Sequence, residues 1–182
     1  RIQASYGDIA LFFTVHCNGN PERNLLPENF VVTENGTIVD NVYLWCPDPF
    51  NAPALSVVMV FDASSSMAGA NIAGARAGGN AFVDLMDGRI DEASVIWFMS
   101  GVTVFQQMTT NKPMLYSAIT AVPASGPGML WDGAYAGLIE LINNGVNQVR
   151  AVIVLADGAD GGSSRTSTEI IALANRHRIA VY

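Results

Sequence analysis

Oxygen-bearing side chains alternate just after one strongly apolar segment of the chain. The segment runs from Leu55 to Phe61, and Asp62, Ser64 and Ser66 follow it at every second position. In a loop that leaves a strand, alternate side chains can face one centre. One carboxylate and two hydroxyls arranged in this way suit a hard cation, which prefers oxygen ligands. This loop is therefore a candidate binding site for a divalent metal ion.

A second carboxylate, Asp157, follows a second apolar run, Val149 to Leu155. Ligands of an open parallel sheet bind at the carboxyl ends of its strands, so Asp62 and Asp157 would converge if the two strands are neighbours. Two carboxylates with hydroxyls, and with no histidine or thiol nearby in the sequence, favour Mg²⁺, Mn²⁺ or Ca²⁺. Water, or a carboxylate from another molecule, would complete the coordination. This chemistry indicates metal-mediated adhesion.

The same residues could instead serve as a turn cap or as part of an enzyme's active site. Asp62 could simply cap the turn after the strand, since Asp and Ser favour such positions. Ser64 or Ser66 as a nucleophile would need a base, and the chain has no Gly-x-Ser-x-Gly elbow. An aspartyl-phosphate enzyme would carry a second Asp where Ser64 stands. We therefore expect a protein that is not an enzyme.

The elements that must position these residues follow from the hydrophobic pattern after residue 54. Continuous apolar runs are typical of strands buried on both faces of a parallel sheet. The order β-α-β-β-α-α-β-α-β predicts an α/β fold with a doubly wound, mostly parallel sheet. The predicted strands are Leu55–Phe61, Ser94–Met99, Thr103–Gln107, Val149–Leu155 and one from Ile179, and the predicted helices are Ile72–Met86, Leu115–Val122, Leu130–Ile142 and Thr168–Arg178.

The first 53 residues carry β-strand signals instead, including an Asn35-Gly36 pair typical of a hairpin turn. We predict a small β-sandwich-like domain over residues 1–53, followed by the α/β domain over 54–182. Cys17 and Cys46 each end a strand-like run in the first of these domains. They could form a disulfide or remain two buried thiols.

Composition excludes several classes of partner. Nine Lys and Arg against sixteen Asp and Glu give a net charge of −7, with a pI near 4.6. Nucleic-acid binding needs a basic surface, which an acidic chain without a basic cluster lacks. The apolar runs are also far shorter than the ~18 to 20 residues that cross a bilayer. Low charge and many glycines favour a secreted protein.

Three motifs in order resemble those of the von Willebrand factor type A family. They are Asp62-Ala63-Ser64-Ser65-Ser66, similar to its metal-ion-dependent adhesion motif, Met129-Leu130-Trp131-Asp132-Gly133, and Ala156-Asp157-Gly158. The resemblance implies a cation bound directly by Asp62, Ser64 and Ser66, and by Asp157 directly or through water. It also implies an extracellular or cell-surface protein. The β-rich leader is similar to the short domain that precedes this module in many bacterial surface proteins.

The chain departs from the family pattern at Gly128, where the family has a metal-coordinating Thr. Either water replaces that hydroxyl, with weaker cation binding, or the site holds no metal. Asp132 would stabilise a helix start, and Asp160 would lie at the rim of the site or in a solvated loop. The chain also reaches Tyr182 before the family's last strand and helix, which we expect to be cut off, unobserved or supplied by a partner.

Two functions remain open from the sequence. In the first, the cation captures an acidic side chain of a protein partner, and the chain is an adhesion module. In the second, the chain is a structural subunit of a surface layer or filament, which assembles through strand contacts while the metal is incidental.

Overall fold

The computed structural model describes residues 2–5, 8–11, 15–17, 20–21, 25–40, 42 and 53–182. The chain divides into two compact units, residues 1–52 and residues 53–182. Each unit is described separately below.

The described part of the first unit contains short antiparallel strand pairs. The Asn35-Gly36 turn adopts positive φ at both residues and joins the predicted hairpin. The predicted partial sandwich stays a prediction, and so does the disulfide, because Cys46 lies outside the described residues. The pairs are β1 (Ile2–Ser5) with β2 (Asp8–Leu11), β3 (His16–Cys17) with β4 (Asn20–Pro21), and β5 (Thr33–Glu34) with β6 (Thr37–Ile38), and a 3₁₀ turn covers Pro27–Asn29.

Residues 53–182, all of which the structure describes, form one five-stranded sheet with helices on both faces. The sheet order is β11-β10-β7-β8-β9, parallel except for the edge strand β9, which is antiparallel to β8. This confirms the predicted α/β class and element order. The strands are β7 (Leu55–Asp62), β8 (Glu92–Phe98), β9 (Val102–Thr109), β10 (Val149–Leu155) and β11 (Ala180–Val181), and the helices are α1 (Ala70–Leu85), α2 (Lys112–Ala121), α3 (Leu130–Asn144) and α4 (Ser167–His177).

The central strand β7 divides the core because its side chains alternate between the two faces of the sheet. Val57, Met59 and Phe61 pack in the cluster that includes α1 and α2. Val58 and Val60 pack in the cluster that includes α3 and α4. Every one of these side chains is fully buried. The strand therefore places its last residue, Asp62, at one end of a rigid two-sided core.

Two helices, α2 and α4, begin before their predicted starts because capping side chains, rather than the apolar stripe, set their first residues. Helix α2 begins at Lys112, three residues before the predicted start, since the Asn111 side chain accepts a hydrogen bond from Met114 N. Helix α4 begins at Ser167, where Thr166 and Glu169 form a capping box.

Two glycines allow α3 to lie very close to the sheet. A Cβ added at Gly133 would lie 2.3 Å from Phe98 Cδ1, and one added at Gly137 would lie 2.7 Å from Val60 Cγ2. No larger residue fits at either position unless the side chain beneath it or the helix itself shifts. Within the described residues, no helix combines the length and apolar character that crossing a membrane requires.

Candidate metal centre

Asp62 is the last residue of β7 and is fully buried. Its Oδ1 accepts a hydrogen bond of 2.8 Å from Ser64 N. Its Oδ2 is also buried, and it has no hydrogen-bond partner among the residues that the structure describes. An unpartnered buried carboxylate oxygen is costly, since it has lost water without gaining another donor. A bound cation would supply the missing partner.

The loop after Asp62 brings two hydroxyls together and directs a third elsewhere. Ser64 Oγ and Ser66 Oγ lie 2.9 Å apart. Ser65 turns away, and its hydroxyl donates to the carbonyl of Gly126 over 3.1 Å. The structure therefore brings the Ser64 and Ser66 hydroxyls together and directs the Ser65 hydroxyl away from them.

Asp157 reaches the same end of the sheet from the neighbouring strand. Strand β10 pairs with β7 in parallel, with Leu155 opposite Phe61, so Asp62 and Asp157 both follow the end of this paired register. The Ser66 hydroxyl hydrogen-bonds the Asp157 carboxylate, and this is the main cause of a pKa for Asp157 below its ordinary value. Ala159 N donates to the same carboxylate over 3.1 Å. The predicted convergence of the two acidic loops is thus present, with Ser66 linking them.

Gly128 lies directly against the loop from Asp62 to Ser66. A Cβ added there would lie 3.3 Å from Ser64 Cβ and 3.5 Å from Ser64 Oγ. The glycine carbonyl accepts a hydrogen bond of 2.7 Å from Gly161 N, which joins this turn to the loop after β10. The turn at Gly128 therefore lies beside Ser64, but it contributes no side-chain oxygen.

Asp132 secures the loop that carries Asp157. Its two carboxylate oxygens accept hydrogen bonds from Arg165 N at 2.9 Å and Ser164 N at 3.1 Å. Its place in the first turn of α3 also suits a negative charge. Asp132 acts as a structural support in this fold.

Ser163 holds the start of α3, a role that the sequence did not indicate. Its hydroxyl oxygen accepts hydrogen bonds from Trp131 N at 3.0 Å and Asp132 N at 3.1 Å. The same hydroxyl donates to Asp160 Oδ1 over 2.6 Å, which is the main cause of a lowered pKa for Asp160. A residue about thirty positions away thus caps the helix, and local sequence signals do not reveal such a cap.

Replacing Ser163 by Ala should therefore have two measurable effects. We expect the free energy of unfolding to fall by about 0.5–2 kcal/mol, the usual cost of losing a helix cap. The pKa of Asp160 should rise toward its ordinary value, as NMR of the carboxyl carbon would show. Ser164→Ala is the matched control, because Ser164 contacts Asp132 through its backbone. An unchanged pKa of Asp160 in Ser163→Ala would contradict the assignment.

The donor set fits a hard divalent cation. It comprises two carboxylates and two hydroxyls, all of them oxygen ligands of the kind that Mg²⁺ and Ca²⁺ prefer. Across the described part of the chain, no group of three or more His, Cys, Asp or Glu side chains could hold a metal ion. A cation at this site would thus depend on the serine hydroxyls and on water for several positions.

The sequence of the second unit matches a known protein family. A family model described as von Willebrand factor type A domain matches residues 57–159. A search of the curated proteins found no match.

Solved structures share this fold at low sequence identity. Proximal thread matrix protein 1 from the mussel byssus has a TM-score of 0.63 and 22% identity over 71% of this chain and 35% of its own. BatB from Bacteroides thetaiotaomicron has a TM-score of 0.58 and 17% identity over 70% of this chain and 64% of its own. The three N-terminal domains of the type V pili tip protein Mfa5 from Porphyromonas gingivalis have a TM-score of 0.56 and 20% identity over 64% of this chain and 22% of their own. The chain therefore spans less than two thirds of each of these structures.

Proposed function

Because the chain belongs to the von Willebrand factor type A family, we propose that it is an extracellular, non-enzymatic adhesion module that captures an acidic group of a protein partner through a divalent cation. The cation would be Mg²⁺, or alternatively Mn²⁺ or Ca²⁺. One observation carries the proposal: the fully buried Asp62 carboxylate keeps an unpartnered oxygen among the described residues, beside two hydroxyls that lie 2.9 Å apart.

Each residue of the site has a distinct role in this proposal. Asp62, Ser64 and Ser66 would hold the cation directly, and Asp157 would hold it directly or through water. When bound, the cation supplies a positive centre that can accept a carboxylate from another molecule. Gly128 leaves a position that water would fill, so we expect weaker cation binding than a threonine there would give.

The wider protein context agrees with a role outside the cell. Two of the similar structures are a tip protein of type V pili and a matrix protein of the mussel byssus. These similarities establish the fold of this chain, and its extracellular or cell-surface location remains part of the proposal. No substrate or reaction is needed to account for the site.

A structural role is the second candidate, and the edge of the sheet favours it. Strand β9 pairs only with β8 within residues 53–182, and its Val102, Val104 and Phe105 side chains are exposed. Unpaired edge strands offer backbone groups to other strands. In this alternative the chain assembles into a layer or filament, and any bound metal is incidental.

Calorimetric titration of the full chain with Mg²⁺, Mn²⁺ and Ca²⁺ tests the adhesion proposal. We expect one cation to bind per chain, because the site has one buried, unpartnered carboxylate oxygen. An absence of binding heat for all three ions, together with no change in thermal stability, would refute the metal site.

Size-exclusion chromatography and negative-stain microscopy, with and without EDTA, distinguish the two functions. An adhesion module should remain dispersed under both conditions. Polymers that persist in EDTA would favour the structural subunit instead.

A further inference from the structure

An open cavity of about 300 Å³ lies beside the candidate metal centre, between the start of α1 and the end of β10. Its residues differ in chemistry according to their exposure. The two polar ones, Asn71 and Asp157, are exposed, whereas the four apolar ones are buried or half-buried. The cavity thus has a polar mouth and an apolar floor, and its lining is Met67, Asn71, Ala75, Leu155, Ala156 and Asp157.

This cavity is continuous with the metal centre through shared residues. Asp157 both lines the cavity and receives the Ser66 hydroxyl. Asn71 Nδ2 donates to the Ser66 carbonyl over 3.3 Å, and Met67 directly follows Ser66 in the chain. A molecule that reached a cation held by Ser66 and Asp157 would therefore have the cavity within its reach.

We propose that this cavity receives an aliphatic side chain of the partner, from the residue adjacent to the carboxylate that the cation binds. The proposal rests on the proposed function and specifies the partner as an acidic peptide segment with an aliphatic neighbour. The cavity volume is at the lower end of the ~300–1,000 Å³ typical of ligand pockets, which suits one side chain.

The chemistry of the cavity lining disfavours polar and basic side chains at the position next to the partner's carboxylate. The floor, formed by Met67, Ala75, Leu155 and Ala156, offers no hydrogen bond from a side chain to a polar group, so a buried serine or amide would lose its water without compensation. A basic neighbour would meet the positive cation at the mouth. An aliphatic side chain has no hydrogen bond to lose, and its transfer from water into the apolar cavity is favourable.

The test uses the full chain with saturating Mg²⁺ and three blocked hexapeptides. Each peptide contains one Asp among Gly and Ser residues, preceded by Leu, Ser or Lys. Dissociation constants come from two-dimensional amide NMR spectra. We expect the Leu peptide to bind at least about tenfold more tightly than the Ser peptide, because a leucine side chain is buried only in the first case.

Two alanine variants on α1 separate the cavity from the cation site. Ala75→Leu fills the cavity and should remove the preference for the Leu peptide, while Mg²⁺ affinity stays unchanged. Ala77→Leu is the control, since Ala77 is exposed on the same helix and does not line the cavity. It should leave the peptide preference and the Mg²⁺ affinity intact.

Several results would overturn the inference. Equal binding of the Leu and Ser peptides to the wild type would show that the cavity is not used, even if Ala75→Leu failed to fold. If a folded Ala75→Leu variant still prefers the Leu peptide to the Ser peptide, the cavity is again not the binding site for the leucine side chain. If the Lys peptide binds more tightly than the Leu peptide, the site attracts a positive charge and does not hold a cation as proposed. If the wild-type protein does not bind Mg²⁺, both the proposed function and this inference are refuted.

Discussion

Asp62→Asn is expected to abolish the stabilisation that Mg²⁺ would give this protein at the proposed site, and to leave the metal-free protein at least as stable as the wild type. A cation at about 100 times its dissociation constant stabilises the state that binds it by about 2.7 kcal/mol. The amide retains an oxygen for the Ser64 N hydrogen bond and removes the buried charge whose Oδ2 has no partner among the described residues. Cation affinity should fall by at least about a hundredfold, the equivalent of losing ~2.7 kcal/mol.

Differential scanning calorimetry in excess Mg²⁺ and in EDTA measures both parts of this prediction. Ser65→Ala is the matched control from the same loop, because its hydroxyl bonds Gly126 and faces away from the site. It should keep the Mg²⁺-dependent rise in unfolding temperature. If Asp62→Asn keeps that rise, the aspartate is not a ligand. If the variant is clearly less stable in EDTA, Asp62 serves mainly as a turn cap.

Gly133→Ala is expected to lower the free energy of unfolding by about 2–3 kcal/mol, at the upper end of the usual cost of overpacking a core. The added Cβ would lie 2.3 Å from Phe98 Cδ1 and 2.8 Å from Phe98 Cγ. Phe98 is fully buried, so either the ring or helix α3 must move. This cost exceeds the ~1 kcal/mol that alanine gains over glycine within a helix.

The same substitution should also weaken cation binding at the proposed site, because the Phe98 carbonyl accepts a hydrogen bond of 2.9 Å from Ala63 N. A shift of Phe98 would therefore displace the loop between Asp62 and Ser64. Urea unfolding gives the stability change, and a Mg²⁺ titration gives the affinity.

Gly74→Ala provides the control for Gly133→Ala, because it makes the same change within α1. A Cβ added at Gly74 would meet nothing within 4 Å. This variant should be about 0.5–1 kcal/mol more stable than the wild type, since only helix propensity changes. Changes of the same sign in the two glycine variants would show that the contact with Phe98 does not limit this packing.

Strands β7 and β10 could be predicted from the sequence because each is a nearly continuous apolar run, although only Val152 of β10 is buried. Val149–Leu155 was predicted with its observed bounds, and Leu55–Phe61 differs from β7 only by the inclusion of Asp62. Edge strand β9 extends beyond its predicted bounds at both ends, to Val102 and Thr109. Its exposure makes the apolar pattern weaker there.

A polar cluster at the opposite end of the sheet escaped prediction for a different reason. Ser56 Oγ donates to the buried Glu92 Oε1 over 2.6 Å, and Val146 N donates to the same oxygen over 2.7 Å. Asn147 N then donates to Ser56 Oγ, a residue 91 positions earlier in the chain. Nothing local marks these residues as partners, since they meet only because β7 pairs in parallel with β8 on one side and with β10 on the other.

The sequence by itself determined the α/β order, the two strand ends that carry Asp62 and Asp157, and the alternation of Asp62, Ser64 and Ser66. Hydrophobic period and residue spacing are local properties, and they suffice for these features. Tertiary structure alone decided that Asp62 Oδ2 is buried without a partner in the described chain, that Gly128 lies against Ser64, and that a cavity lies beside Asp157. Burial and contact depend on how distant segments pack, and packing is a property of the whole fold.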